Sequence, residues 1–350
     1  FRKAPMVFSI FHSRRSFLHL SLFAAIVALP LALRADDEKP AETKPEAAAD
    51  ASQTDFQSII DKHNKAAIEE VKLYIDANTD AEDIGEAYGF LFQNAIALNQ
   101  EDDAVALAEK YLARESLDPQ LKVVALQIRA LGFVNQGKAE DAVKTLGEMF
   151  EDRRLRNPSA IVEFGFSLAN RLQLEGNIEA VKACYDKIGD AFPLNQQLDS
   201  MIETRLDRLS LIGKPAPVLK AKDWEGKEID LAEYKGKVLL IDFWATFCGP
   251  CIQEIPNLLQ CFHKYNAKGF EVISITLDES QEQAESLVKR AKIPWRQVMN
   301  GEDDDDLTKE YFVPTIPAMY IVNQDGNIAY VDLRGEDLRK ALDKLLTNPN

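Results

Sequence analysis

The chain has 350 residues, which is enough for two domains and too long for one small domain. Apolar residues make up 46% of the composition and charged residues 28%, which excludes a collagen, a wholly disordered chain and a multi-span membrane protein. The net charge of −16 repels phosphate backbones and no basic patch offsets it, so we expect no nucleic-acid partner.

Residues 1–35 have the pattern of an export signal. Phe17–Leu33 is an apolar run, with Arg14 and Arg15 before it and an acidic stretch after it. This order is typical of a secretory signal peptide. The run is short for a membrane span of about 20 residues, but a retained N-terminal anchor stays open as an alternative. We therefore predict an exported protein of the periplasm or cell envelope.

Residues 36–54 are rich in Glu, Ala, Pro and Lys and contain no large apolar residue. Such a segment cannot bury enough apolar surface to offset the entropy lost on ordering. We predict a disordered tether here.

Residues 55–211 are predicted to form an all-α domain of helical repeats. Apolar residues recur at helical spacing, and one pattern returns every 38 residues, at Asp103–Val105, Asp141–Val143 and Glu179–Val181. A turn signal precedes each copy, which indicates helical hairpins. The region resembles a tetratricopeptide array with a longer period than usual. Both a purely structural role and the docking of a protein partner stay open.

Residues 212–350 are predicted to form an α/β domain, because Gly213–Pro217 breaks the helical pattern and strands then alternate with helices. This alternation, followed by an antiparallel hairpin, indicates a mixed sheet covered by helices on both faces. The predicted strands are 238–244, 270–276, 318–322 and 328–333, and the predicted helices are 249–266, 280–292, a short helix near 307, and 336–346.

Two cysteines stand as a Cys-x-x-Cys pair where the first buried strand gives way to a helix. If the helix begins at Gly249, Cys248 occupies its N-terminal cap, where free backbone N–H groups and the helix dipole favour a thiolate. Pro250 suits the first helical turn. The spacing allows Cys248 and Cys251 to form a disulfide, so that one thiol attacks and the other resolves.

Structural zinc is the alternative use of a Cys-x-x-Cys pair, but no second pair of ligands is spaced for it. We therefore expect no metal and no cofactor beyond the redox-active Cys248–Cys251 disulfide. The remaining cysteines, Cys184 and Cys261, fall at apolar helical positions, and we expect both to be buried, inert thiols.

The run Phe243–Cys251 (FWATFCGPC) resembles the active site of thioredoxin-fold proteins. Lys214–Pro217 at the start of the domain and Glu254–Pro256 after the cysteines make it most similar to the exported thiol-disulfide oxidoreductases of the TlpA and ResA type. The resemblance covers roughly residues 213–346. It implies a thioredoxin fold after the helical domain, and an enzyme that exchanges thiols and disulfides with protein substrates.

The resemblance also assigns roles by position. Pro317 matches the family's cis-proline loop, which offers backbone groups to an extended substrate chain. Glu254 matches a carboxylate kept near the cysteines. Asp242 matches the buried acid of thioredoxin, where desolvation raises the pKa so that the carboxylate can deprotonate Cys251. The predicted substrate-contacting residues are Trp244, Phe247, Gly249, Pro250, Ile316 and Pro317.

The dipeptide Gly249-Pro250 is that of thioredoxin, so we predict a reductant that a membrane electron donor recharges. Two other functions stay open. A thiol peroxidase of the antioxidant class needs Pro-x-x-x-Thr-x-x-Cys, whereas only one residue separates Thr246 from Cys248. The second is a non-enzymatic scaffold in which the helical repeats bind a partner and the redox domain is incidental.

Overall fold

The computed structural model describes residues 56–98, 100–155, 157–301 and 306–347. The predicted signal peptide and tether lie outside the described residues. Residues 55–350 cluster as one compact unit, which holds both the helical region and the sheet. No helix in the described ranges is long and apolar enough to cross a membrane.

The first part of the described chain is helical, as predicted. The repeated motif falls at equivalent places on α3, α5 and α7, where Ala104, Ala142 and Ala180 are buried against neighbouring helices. Kinship with tetratricopeptide repeats stays a prediction. The helices are α1 (Phe56–Ala77), α2 (Ile84–Ala97), α3 (Glu101–Leu112), α4 (Pro119–Asn135), α5 (Ala139–Glu151), α6 (Pro158–Leu174), α7 (Ile178–Ala191) and α8 (Gln196–Leu209).

The second part is a thioredoxin-like mixed sheet, as predicted. Its strand order within the described residues is β3-β2-β1-β4-β5; β1, β2 and β3 are parallel to one another, and β4 is antiparallel to both of its neighbours, β1 and β5. The elements are β1 (Val238–Trp244), α9 (Gly249–Tyr265), β2 (Phe270–Thr276), α10 (Gln281–Ala291), β3 (Arg296–Met299), α11 (Leu307–Glu310), β4 (Ala318–Val322), β5 (Ile328–Val331) and α12 (Gly335–Thr347).

The central strand β1 is buried along its whole length and divides the core into two faces. Side chains alternate along a strand. Leu239 and Ile241 therefore join the core that continues into the helical region, while Val238 and Leu240 join the core under α9 and α12. By the same alternation Asp242 is on the α9 face.

Two elements differ from the sequence-based prediction. β3 was not predicted, because its first two residues, Arg296 and Gln297, interrupt any apolar run; both pair with β2. The last strand ends at Val331 instead of Leu333, because Asp332 has a φ of 57° and turns the chain.

Helix α6 lies against β5, one of the two edge strands of the sheet. The side-chain amide of Gln173 donates to the carbonyl of Val331 at 3.1 Å and accepts from the same residue's N–H at 2.7 Å, so it replaces a neighbouring strand. Arg171 also pairs with Asp337 of α12 at 3.1 Å. The two Gln173 hydrogen bonds satisfy backbone groups of an edge strand that would otherwise lack partners.

Arg208 of α8 fixes the helical region to the loop before β4. Its side chain is 4% exposed and donates to both carboxylate oxygens of Asp332, at 3.0 and 3.1 Å. It also donates to the carbonyls of Phe312 at 2.9 Å and Thr315 at 2.8 Å. Nε, Nη1 and Nη2 of the guanidinium thus all have partners, which a buried ion pair requires if it is not to destabilise the fold.

Replacing Arg208 by Met is expected to destabilise the full chain by about 3–5 kcal/mol, because it removes the hydrogen-bonded cation of the buried Asp332 and leaves it only Arg205 as an ion-pair partner in the described chain, with Nη1 4.0 Å away. Urea unfolding measures the effect. Lys182→Met, which breaks only a surface pair with Glu179, is the control and should cost under about 1 kcal/mol. Equal losses in the two variants would contradict the structural role given to Arg208.

Candidate active site

Cys248 and Cys251 lie where β1 passes into α9. Cys248 is the N-cap of that helix, and its Sγ accepts a hydrogen bond from the backbone N–H of Cys251 at 3.3 Å. The two cysteines are joined as a disulfide. Pro250 stands in the first turn, where no N–H is needed. The sulfur of Cys248 therefore meets the positive end of a helix of 17 residues.

An apolar collar surrounds the disulfide. Trp244 and the partly buried Ile316 pack in the same cluster as the cysteines. Phe247 precedes Cys248 and is 73% exposed, an unusual position for a large apolar ring. The Ile316–Pro317 peptide bond is cis, and Pro317 is half-buried. Gly249 and Pro250 are exposed beside Phe247, whereas Trp244, which was also predicted to contact substrate, is buried and only 3% exposed.

Asp242 is a buried carboxyl without an ion-pair partner among the described residues. Its Oδ2 accepts from the hydroxyl of Ser274 at 3.2 Å, and that hydroxyl accepts from the indole N–H of Trp295 at 2.9 Å. Desolvation raises the pKa of Asp242 to about 7, although the Ser274 hydrogen bond lowers it. The charge of nearby Glu254 raises the same pKa further. Asp242 thus exchanges its proton near neutral pH.

Glu254 lies one turn after Cys251, and its carboxylate accepts a hydrogen bond from the first residue of α12. Its Oε1 accepts from the N–H of Gly335 at 2.8 Å and from the side-chain amide of Asn257 at 2.5 Å. The carboxylate thereby caps the first residue of α12, a favourable place for a negative charge. Its negative charge also raises the pKa of the buried Asp242.

The sequence analysis missed Asp278, which anchors the loop before the cysteines. Its buried carboxylate accepts from the N–H of Thr246 at 3.1 Å, from the hydroxyl of Thr246 at 2.6 Å and from that of Thr276 at 2.6 Å. A signal for it existed: the carboxyl ends of parallel neighbours β1 and β2 meet at one edge, so residues just after both strands are neighbours.

Cys184 and Cys261 are both buried free thiols, as predicted. Burial raises the pKa of Cys184 to about 12 and that of Cys261 to about 11. Neither therefore forms a reactive thiolate near neutral pH.

Residues 212–331 match the AhpC/TSA family model. A thiol-disulfide oxidoreductase ResA of Bacillus thuringiensis subsp. konkukian is 34% identical over 137 residues, which covers 39% of this chain and 76% of that protein. The chain belongs to the ResA family of thiol-disulfide oxidoreductases. The ResA of Bacillus subtilis strain 168 is 27% identical over 119 residues, 34% of this chain and 65% of that one.

A solved thioredoxin domain of a thiol-disulfide oxidoreductase from Bacteroides vulgatus is also similar. It is 31% identical, with 39% of this chain and 97% of that chain covered and a TM-score of 0.37. As a ResA-family protein, the chain is an enzyme of thiol-disulfide exchange with protein thiol substrates.

Asp242→Asn is expected to be more stable than the wild type, by an amount that grows as the pH rises. The folded-state pKa of about 7 exceeds the unfolded value of about 3.9, so the folded state binds more protons between these values and loses stability through that window. Asn cannot ionise and avoids this loss, which reaches about 4 kcal/mol above pH 7. Urea unfolding between pH 4 and pH 8 measures the difference.

The exposed Asp325 supplies the control. Asp325→Asn should shift the stability equally little at both ends of the pH range. A stability difference between Asp242→Asn and the wild type that does not grow with pH would contradict an unpaired, desolvated Asp242.

Proposed function

We propose that this enzyme reduces protein disulfides in two steps. The Cys248 thiolate attacks one sulfur of the client disulfide, forms a mixed disulfide and releases the other client sulfur as a thiolate. Cys251 then attacks Cys248 Sγ, which releases the second client thiol and leaves the Cys248–Cys251 disulfide. Two electrons pass from the enzyme dithiol to the client. The position of Cys248 at the N-cap of α9 is the observation that supports these roles.

The N-cap position favours Cys248 as the attacking sulfur. Once the disulfide opens, the N–H of Cys251 and the N-terminus of α9 stabilise negative charge on Cys248 Sγ. Cys251 lies inside the first turn and is 4% exposed, against 7% for Cys248, so it is suited to an intramolecular attack. Thr246 is one residue too close to Cys248 for the peroxidase motif, and its hydroxyl donates to Asp278 at 2.6 Å.

Asp242 is the proposed base for the second step. Cys251 must lose its proton before it attacks, and a carboxylate whose pKa is about 7 accepts protons efficiently near neutral pH. Asp242 is on the face of β1 that α9 covers, and the charge of Glu254, one turn past Cys251, reaches it. Glu254 acts on this step because its negative charge raises the pKa of Asp242.

The client chain is proposed to lie across the exposed patch beside the cysteines. Phe247 offers an apolar ring to it, and Gly249 leaves room for a close backbone approach. Backbone groups beside Pro317 would pair with an extended client segment. Pro250 and Ile316 complete the contact surface, and the buried Trp244 packs in the core cluster with the cysteines instead of contacting the client.

In the cell, the enzyme is proposed to be exported through the signal in residues 1–35 and to work in the periplasm or cell envelope, either free or anchored. A membrane donor would return two electrons to the Cys248–Cys251 disulfide after each turnover. No further cofactor is needed, because both electrons are carried by the cysteine pair.

Cys251→Ser is expected to accumulate a mixed disulfide with the client through Cys248, because the resolving thiol is gone. Mass spectrometry of the trapped complex after digestion identifies the linked cysteine. Cys248→Ser is the matched variant and should trap little or nothing. Preferential trapping through Cys251 in that variant would reverse the two roles.

The dithiol is expected to be reducing, with a potential near that of thioredoxin, about −270 mV, and far below the about −120 mV of the oxidant DsbA. Equilibration of the mature chain with glutathione buffers, followed by alkylation of free thiols, measures it. A value close to that of DsbA would make the enzyme an oxidant and refute the proposed direction.

A further inference from the structure

A groove of about 490 Å³ lies between α8 and the loop that precedes β4. One wall is a face of α8 and the other is the segment Pro314–Pro317; Arg334 closes one side. We call it the α8 groove. Its α8 wall is formed by Gln197, Ser200, Met201, Thr204, Arg205 and Arg208.

The α8 groove is continuous with the active site. Ile316 and Pro317 line the groove, and Ile316 also packs in the cluster that contains Cys248 and Cys251. A chain that passes Pro317 on its way from the cysteines therefore enters the groove. From Gln197 to Arg208 the α8 wall is about 16 Å long, which accommodates about five residues of an extended peptide.

The groove is cationic in an acidic protein. The charged residues that line it, within the described part of the chain, are Arg205, Arg208 and Arg334. Behind them Asp332 is already bound by Arg208. Arg205 also pairs with Asp332, through its Nη1 at 4.0 Å from Oδ2, so that Arg205 and Arg208 share one carboxylate; no described residue forms a hydrogen bond or ion pair with the Arg334 side chain. Positive charge is thus left over beside the cysteines, although the whole chain carries −16.

We propose that the α8 groove binds the client polypeptide next to its disulfide cysteine and selects segments that carry Asp or Glu there. The inference rests on the proposed function, because the client must present a disulfide to Cys248. Arginine forks bind carboxylates with two parallel hydrogen bonds, and a half-buried groove strengthens such contacts relative to open solvent. The helical region thereby contributes directly to substrate choice.

Two synthetic peptides test the proposal on the full mature chain. Each has one cysteine that forms a disulfide with the same small thiol. One carries Glu within five residues of the cysteine and the other carries Gln at the same positions. We expect kcat/KM for the Glu peptide to be about tenfold higher at low salt, with the advantage shrinking as salt is added. The overall field of the protein acts in the opposite direction, so an advantage for Glu has to come from a local site.

Ser200→Glu puts a negative charge on the exposed α8 wall of the groove. With 2-hydroxyethyl disulfide as a third substrate, the variant should lower kcat/KM for the Glu peptide about tenfold more than kcat/KM for the Gln peptide. Ser159→Glu makes the same change at an exposed position on α6, outside the groove, and should alter none of the three rates.

The outcomes distinguish failure of the α8 groove as a binding site from failure of the proposed reductase function. Equal rates for the Glu and Gln peptides, or equal effects of Ser200→Glu and Ser159→Glu, would refute the groove as a binding site while the reductase function stands. Failure of the reduced wild-type chain to reduce any of the three disulfides would overturn the proposed function and the groove together.

Discussion

The buried ion pair between Arg208 and Asp332 joins helix α8 of the helical region to the sheet domain beside the active site. Removing two charges from water is costly, and the pair is tolerable only because the guanidinium also meets the carbonyls of Phe312 and Thr315. Those carbonyls belong to the loop that ends in Pro317. The helical region therefore holds the loop on which the proposed substrate site depends, and Gln173 adds a second attachment at β5.

Two buried acids in the sheet domain have opposite environments, and the difference fits their uses. Asp332 faces a guanidinium and stabilises the fold as an ion. Asp242 has only the hydroxyl of Ser274 as a hydrogen-bond partner within the described ranges. Its charged form is therefore disfavoured, and the carboxyl keeps its proton until the pH approaches neutral. A carboxyl that a structure leaves unpaired in this way costs stability, and such sites are commonly functional.

The sequence predicts those parts of the fold that depend on local patterns. The strands at 238–244, 270–276 and 318–322 and the helix after Cys248 follow from apolar runs and from the Cys-x-x-Cys motif, and the structure confirms them. β3 was not predicted because it is short and begins with the polar residues Arg296 and Gln297, although Gln297 is buried and both pair with β2. Contacts between distant segments, such as Arg208 with Thr315 or Glu254 with Gly335, leave no local pattern, so neither could be predicted.

The link between the helical region and the redox site is tested most directly by amide hydrogen exchange in Arg208→Lys. Lysine keeps the charge opposite Asp332 but lacks the planar fork that reaches two carbonyls at once. Exchange is expected to accelerate at residues 312–319 and to stay unchanged in β1, which serves as an internal reference. Unchanged exchange at 312–319 would show that the loop is held without α8 and would contradict the role assigned to Arg208.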